Sequence, residues 1–140
     1  MAQETLRVIT ELDAARIREL GARLPDRGRG LPALNGLIDV VDREADVVPG
    51  AAISPDVVTV NSTVSFRDEA TGTVHRVTVV YPSETSVGLR KISVLSPVGA
   101  ALLGQRAGRL VEVPLPDGTR REIRLMEVHY QPEASGDYQR

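Results

Sequence analysis

Apolar positions recur at helical spacing through the first third of the chain and then change to alternation, so the pattern divides near residue 50. Thr10 with Asp13 makes a capping-box-like start, and Ala14, Ile17, Leu20 and Leu24 follow at helical intervals. The stretch PDRGRG at 25–30 breaks that stripe. A second helix is expected from about Pro32, with Leu34, Leu37, Ile38, Val41 and Ala45 on one face. Two narrow stripes of similar length predict a short antiparallel helical hairpin, a coiled coil, with a short extended entry at 5–9. Residues 47–55 hold two Pro and one Gly without a period and read as a linker. We therefore divide the chain into a hairpin at 1–49 and a globular domain at 50–140, whose core is expected to lie wholly beyond the linker and to fold alone.

Beyond the linker, extended segments are expected at 57–60, 63–67, 74–81 and 90–95, with Gly72 in the turn before the third. Ser96-Pro97 then opens a short helix over about 97–103, because a Ser hydroxyl can take an orphan amide and Pro is preset for the first helical position. Gly104 closes it and Gly108 leads into the strand at 110–113. Asp117-Gly118, after Pro116, is a strong hairpin signal. In the last strand Ile123 and Leu125 alternate, then Met126, Val128 and Tyr130 alternate in the opposite phase, which predicts a β-bulge near Leu125-Met126. The elements sum to an α+β fold: a bent antiparallel sheet of four or five strands packed on one short helix.

Over 92–130 the residues become specific. Ser96-Pro97, then Leu102, Gly104 and Gly108, a strand, a P-x-G turn and a strand ending E-V-x-Y resemble the C-terminal domain of Gre-type transcript-cleavage factors. The run SPVGAALLG and the tail YQPEASGDY resemble one branch of that family. The resemblance implies an FKBP-like domain carried behind a coiled-coil arm, with RNA polymerase as partner. In Gre factors the arm enters the secondary channel and presents two acidic residues that help hold a catalytic Mg²⁺, as a hard cation needs several oxygen ligands. Here the arm tip has one carboxylate, Asp26, between Arg27 and Arg29, and helices of this length span roughly 20 Å at 1.5 Å per residue. The Gre loop around Ser-Pro is implicated in docking on the rim of the channel. Carried over, Ser96 and Pro97 match it, with Val98 beside them, whereas Leu95 stands where an acid usually precedes the pair. Plain helix capping explains Ser96-Pro97 equally well.

Composition narrows the chemistry. The 140 residues are 41% hydrophobic, enough for one modest core, and zero Cys removes disulfides, thiol nucleophiles and thiolate metal sites. The formal charge of −2 argues against a broad nucleic-acid face, and one Phe with three Tyr offers few stacking platforms, so no sequence-specific nucleic-acid binding is expected. Sixteen of the seventeen basic residues are Arg, which suits bidentate pairing with carboxylates at a protein interface. His75 and His129 fall in separate strands with no metal-ligand spacing, and the Gly99, Gly104 and Gly108 cluster lacks the Lys-Ser/Thr of a phosphate loop. We expect no cofactor, no metal, no catalytic residues and no enzyme activity; the aromatic liners of a prolyl-isomerase pocket are lacking. With no long apolar run and no leader pattern, the protein is expected to be cytoplasmic, off the membrane and monomeric. The reading is a bacterial regulator that docks on RNA polymerase and competes with Gre-type factors without stimulating cleavage. The alternative is an interaction module acting directly on another enzyme.

Overall fold

The computed structural model describes residues 7–23 and 32–137. The chain enters through strand β1 (Val8–Thr10) and helix α1 (Glu11–Arg23). Helix α2 (Pro32–Asp39) runs on into a π-helical turn at Val40–Glu44, and strand β2 (Asp46–Val48) follows. Next come β3 (Thr63–Asp68), β4 (Val74–Val80), β5 (Lys91–Ser93), helix α3 (Pro97–Leu102), β6 (Leu110–Pro114) and β7 (Arg120–Tyr130). Five of the strands form one curled sheet in the order β5-β4-β3-β7-β6. Among the described residues no helix is long and apolar enough to cross a membrane.

Alternation sets the sheet's two faces. Val64, Phe66, Val77, Val79, Val111, Val113, Ile123 and Leu125 point into the core, while Ser65, Arg67, Arg76, Glu112, Glu122 and Arg124 stand on the other face. The phase change in β7 is a bulge: Phe66 pairs with Leu125 and Ser65 with Glu127, leaving Met126 as the extra residue. A second register shift leaves His129 unopposed between Val128 and Tyr130. Two bulges in one long strand give the bend by which β7 follows the curl. The turn ahead of β7 is as expected, with Gly118 at φ 90° and the Leu115 carbonyl accepting its amide at 3.0 Å.

Three expectations about the strands are corrected. β5 runs parallel to β4, with Thr78 opposite Lys91, so the sheet is mixed; the connection over 81–90 carries the chain back before β5 begins. Residues 57–60 are buried but form no strand of the sheet, turning at Val60-Asn61; Val58 exchanges backbone hydrogen bonds with Gly104 and Gln105 instead. The first residues of the expected linker are β2, paired in parallel with β1 at Val8–Asp46, Ile9–Val47 and Thr10–Val48.

The core does not lie wholly beyond residue 50. Ile9, Ala14, Ile17, Leu37, Val40 and Val41 belong to the same buried cluster as Val58, Val60, Leu102, Leu103 and the sheet's inner residues. Of the expected helical stripes, Ala14, Ile17, Leu37 and Val41 are buried and Leu20, Ile38 and Ala45 half-buried, while Leu24 lies outside the described residues, as does the side chain of Leu34. The wider π turn buries Val40 and Val41 together, with the Ala45 amide reaching the Val40 carbonyl at 2.7 Å. α1 and α2 are in contact, and Arg18 meets Asp42 at 3.0 Å, an exposed pair of small energetic weight. Because Ile17 is fully buried in the shared core, Ile17→Ala is expected to cost about 2–5 kcal/mol in chemical denaturation. A loss under about 1 kcal/mol would mean that α1 rests on the sheet without being part of its core.

Candidate functional site

Two places concentrate polar chemistry: the corner between β5 and α3, and the seam where α1 meets the sheet. The corner is built from short-range bonds. The Ser96 amide donates to the Ser93 carbonyl at 2.9 Å and the Leu95 amide to the Ser93 hydroxyl at 2.9 Å. The Ser96 hydroxyl donates to the Ser93 carbonyl at 2.6 Å and accepts the Gly99 amide at 3.1 Å, so Ser96 is the N-cap of α3 and Pro97 its first residue. A Cβ at Gly99 would overlap the Ser93 carbonyl oxygen, so the tight corner requires glycine there.

All four corner residues are half-buried, and Leu95 and Val98 pack against the core cluster. Leu95 is thus not free-standing; the exposed part of the corner is the Ser96-Pro97 edge with part of each apolar side chain. At the far end of α3, Arg7 donates to the carbonyls of Ala100 (2.8 Å) and Leu103 (3.3 Å), closing the helix with a cation. Burial lowers the pKa of Arg7, partly offset by the nearby charge of Glu44. Gly104 follows at φ +83°, where a Cβ would press on Arg7, the Val8 carbonyl and Ile9, so β1 passes directly over this turn.

The seam was not foreseen in full. The Thr10 hydroxyl accepts the Asp13 amide at 3.1 Å, which is the cap expected from the sequence. The Asp13 carboxylate, however, reaches across the chain, accepting the Val60 amide at 3.1 Å and the Tyr81 hydroxyl at 2.8 Å. Beside it, Thr59 donates to Glu133 at 2.8 Å and shares a hydrogen bond of 2.8 Å with Ser62. Burial pushes the Asp13 carboxyl up from the ordinary 3.8 to about 6 against the pull of its hydrogen bonds, and the charge of Glu133 adds to the rise. Tyr81 is likewise raised, by burial first and then by the charge of Asp13, and stays a donor; the Arg16 guanidinium sits 5.6 Å from its ring centre. The helical spacing marked Asp13 as a capping residue, but nothing local to it names Val60 or Tyr81.

The histidines stay apart. His75 stacks on Phe66 at 5.2 Å between ring centres, and His129 shares a hydrogen bond of 2.6 Å with Ser65. Among the described residues no group of His, Asp and Glu is placed to hold a metal ion. Asp26, Arg27 and Arg29, the expected arm tip, lie outside the described residues. A shallow depression beside the β6–β7 hairpin is lined by Glu69, Glu112, Arg120 and Arg121, whose charges are engaged in ion pairs with one another or with neighbours.

Comparison with known proteins agrees with this geometry. Residues 53–130 match the family described as transcription elongation factor, GreA/GreB, C-term. The regulator of nucleoside diphosphate kinase from Escherichia coli K12 is 40% identical over 138 residues, 99% of this chain and 98% of that one. The transcription inhibitor protein Gfh1 of Thermus aquaticus is 33% identical over 133 residues, 91% of this chain and 82% of that protein. A solved transcription elongation factor GreA/GreB from Nitrosomonas europaea superposes with TM-score 0.72 at 38% identity, covering 91% of this chain and all of that one.

The raised carboxyl has a testable sign. Because the folded chain holds the Asp13 proton more tightly than the unfolded one, it carries more bound protons between about pH 4 and 6, so Asp13 removes stability as pH rises through that window. Its share of the slope is at most about 1.4 kcal/mol per pH unit. Urea denaturation from pH 4 to 7 is expected to show this falling component, and Asp13→Asn to abolish it. An identical pH profile in the variant would show that Asp13 titrates normally.

Proposed function

Because the chain belongs to the family of GreA/GreB transcription elongation factors, through its C-terminal domain, we propose that it is a bacterial transcription regulator that binds RNA polymerase near the secondary channel. It competes there with Gre-type factors and does not stimulate transcript cleavage. The observation that carries this reading is the Ser96-Pro97 corner, a rigid, half-exposed edge at the motif where the resembling factors dock. In this reading residues 50–140 form an FKBP-like docking domain and residues 1–49 a helical-hairpin arm, rooted in the shared core and bearing Asp26, Arg27 and Arg29 at its tip. α1 has 13 residues, about 20 Å of helix at 1.5 Å per residue. A single carboxylate between two guanidinium groups is a poor Mg²⁺ ligand set, so the arm acts by occupancy. That one relative is named a transcription inhibitor is consistent with this.

A second reading comes from the relative named as a regulator of nucleoside diphosphate kinase: an interaction module acting directly on that enzyme. An effect exerted through transcription accounts for such a name with fewer partners, since the chain's family is one of transcription factors. Capture of the kinase by the purified chain in the absence of polymerase would favour the direct route.

The deciding experiment is cleavage of backtracked RNA by polymerase. The chain alone is expected to leave cleavage unchanged or reduce it, and to suppress the stimulation by a Gre factor in proportion to its occupancy of the shared site. Pro97→Ala is expected to weaken binding severalfold with the melting temperature near wild type. Leu95→Asp is expected to lower the melting temperature as well, because that side chain packs on the core. Cleavage stimulated by the chain and lost in Asp26→Asn would overturn the reading of an empty arm.

A further inference from the structure

The connection between β4 and β5 carries the two most exposed large apolar side chains among the described residues, Val87 at 98% and Leu89 at 69%. Single exposed aliphatics are common and mean little. This pair differs in its setting. Ser86 and Lys91 exchange backbone hydrogen bonds of 3.1 and 2.8 Å, the Ser86 hydroxyl accepts the Leu89 amide at 3.2 Å, and the Arg90 amide donates to the Val87 carbonyl at 3.1 Å. Val87 and Leu89 are therefore displayed on a closed, hydrogen-bonded turn. Arg90 completes it at φ 55°, a left-handed conformation that is costly for a residue with a side chain and that clusters at functional sites.

The charges around the turn point the same way. Over most of the sheet's outer surface cations are matched: Arg67 and Arg124 share Glu69, and Arg120 meets Glu112. At the β4–β5 edge they are not. Arg76, Arg90 and Lys91 form no ion pair among the described residues, and Glu84 is the one acid of the connection. The register puts Lys91 opposite Thr78 on the face that also bears Arg76. Exposed aliphatics beside unmatched cations complement a protein surface that presents an apolar patch bordered by acids. The turn being already ordered, little conformational freedom is lost in docking it.

β5 is the edge strand of the sheet and connects this turn directly to the Ser96-Pro97 corner. From Lys91 to Ser96 the backbone spans at most about 17 Å at 3.3 Å per residue, so one partner face can meet both. We propose that the 86–91 turn is a second docking element, seating Val87 and Leu89 on an apolar, acid-bordered surface of the protein that the corner engages. The proposal rests on the polymerase-docking reading and adds to it the residues that set affinity and its salt dependence.

The test measures binding of the full chain to core RNA polymerase by fluorescence anisotropy at two or more salt concentrations. Val87→Ser with Leu89→Ser is expected to weaken binding about tenfold without changing the melting temperature, since neither side chain contributes to the core. Arg90→Asn, which tolerates the left-handed backbone, is expected to weaken binding severalfold and to flatten its salt dependence. Wild-type affinity in both variants, with binding still weakened severalfold in Pro97→Ala, overturns this inference and leaves the docking reading standing. Failure of the wild-type chain to bind polymerase overturns both. Binding of the chain to RNA that Arg90→Asn removes, with polymerase affinity unchanged, assigns the cations to nucleic acid and also overturns the proposal.

Discussion

The arrangement depends on one buried carboxylate. Hydrophobic contact between the N-terminal helices and the sheet is non-directional, and the inner residues of α1 would tolerate several orientations over a surface of Val and Leu. Asp13 removes that freedom. Taken out of water, it must have donors, and the two it finds, the Val60 amide and the Tyr81 hydroxyl, belong to the stretch ahead of β3 and the end of β4. Thr10 holds the same residue from its own chain, and the Thr59–Glu133 bond beside it ties in the C-terminal turn. Three remote segments thus meet at the first turn of α1, and polar bonding supplies the specificity that apolar packing lacks.

The second constraint is close backbone approach. Gly99, within α3, leaves no room for a side chain against Ser93, and Gly104, just past its end, is closely approached by Arg7 and β1 at a left-handed φ. Arg7 then bonds the last carbonyls of α3 from the N-terminal segment. α3 is therefore fixed at one end by the Ser96-Pro97 corner and at the other by Arg7, the residue that leads into β1. The N-terminal segment and the sheet are thus joined through this short helix as well as through the core they share.

What could be read from the residues was whatever is local. The Ser96-Pro97 cap, the Asp117-Gly118 turn, the alternation of β3 and β4, and the phase slip that betrays Met126 each depend on neighbours within a few positions. The parallel placement of β5, the pairing of β1 with β2 and the buried path of 57–60 depend on partners far along the chain, which no local period encodes. The site follows the same division. Thr10 and Asp13 announced a helix start, but the reach of Asp13 to Tyr81 needs the fold to bring them together. Leu95, next to Ser96 in sequence, packs against the core, and the exposure of Val87 and Leu89 follows from the course of the β4–β5 connection, which no local period encodes.

The parallel pairing of β1 with β2 has an evolutionary corollary. Because Val8–Thr10 and Asp46–Val48 lie side by side in register, the two ends of the segment between them are held next to each other. Everything between them is topologically a loop closed by that clasp, whatever helices it contains. Residues can be inserted or removed between Arg23 and Pro32 without altering the clasp or the sheet. The length of that segment is then a quantity that selection can adjust by insertion and deletion alone, independently of the sheet.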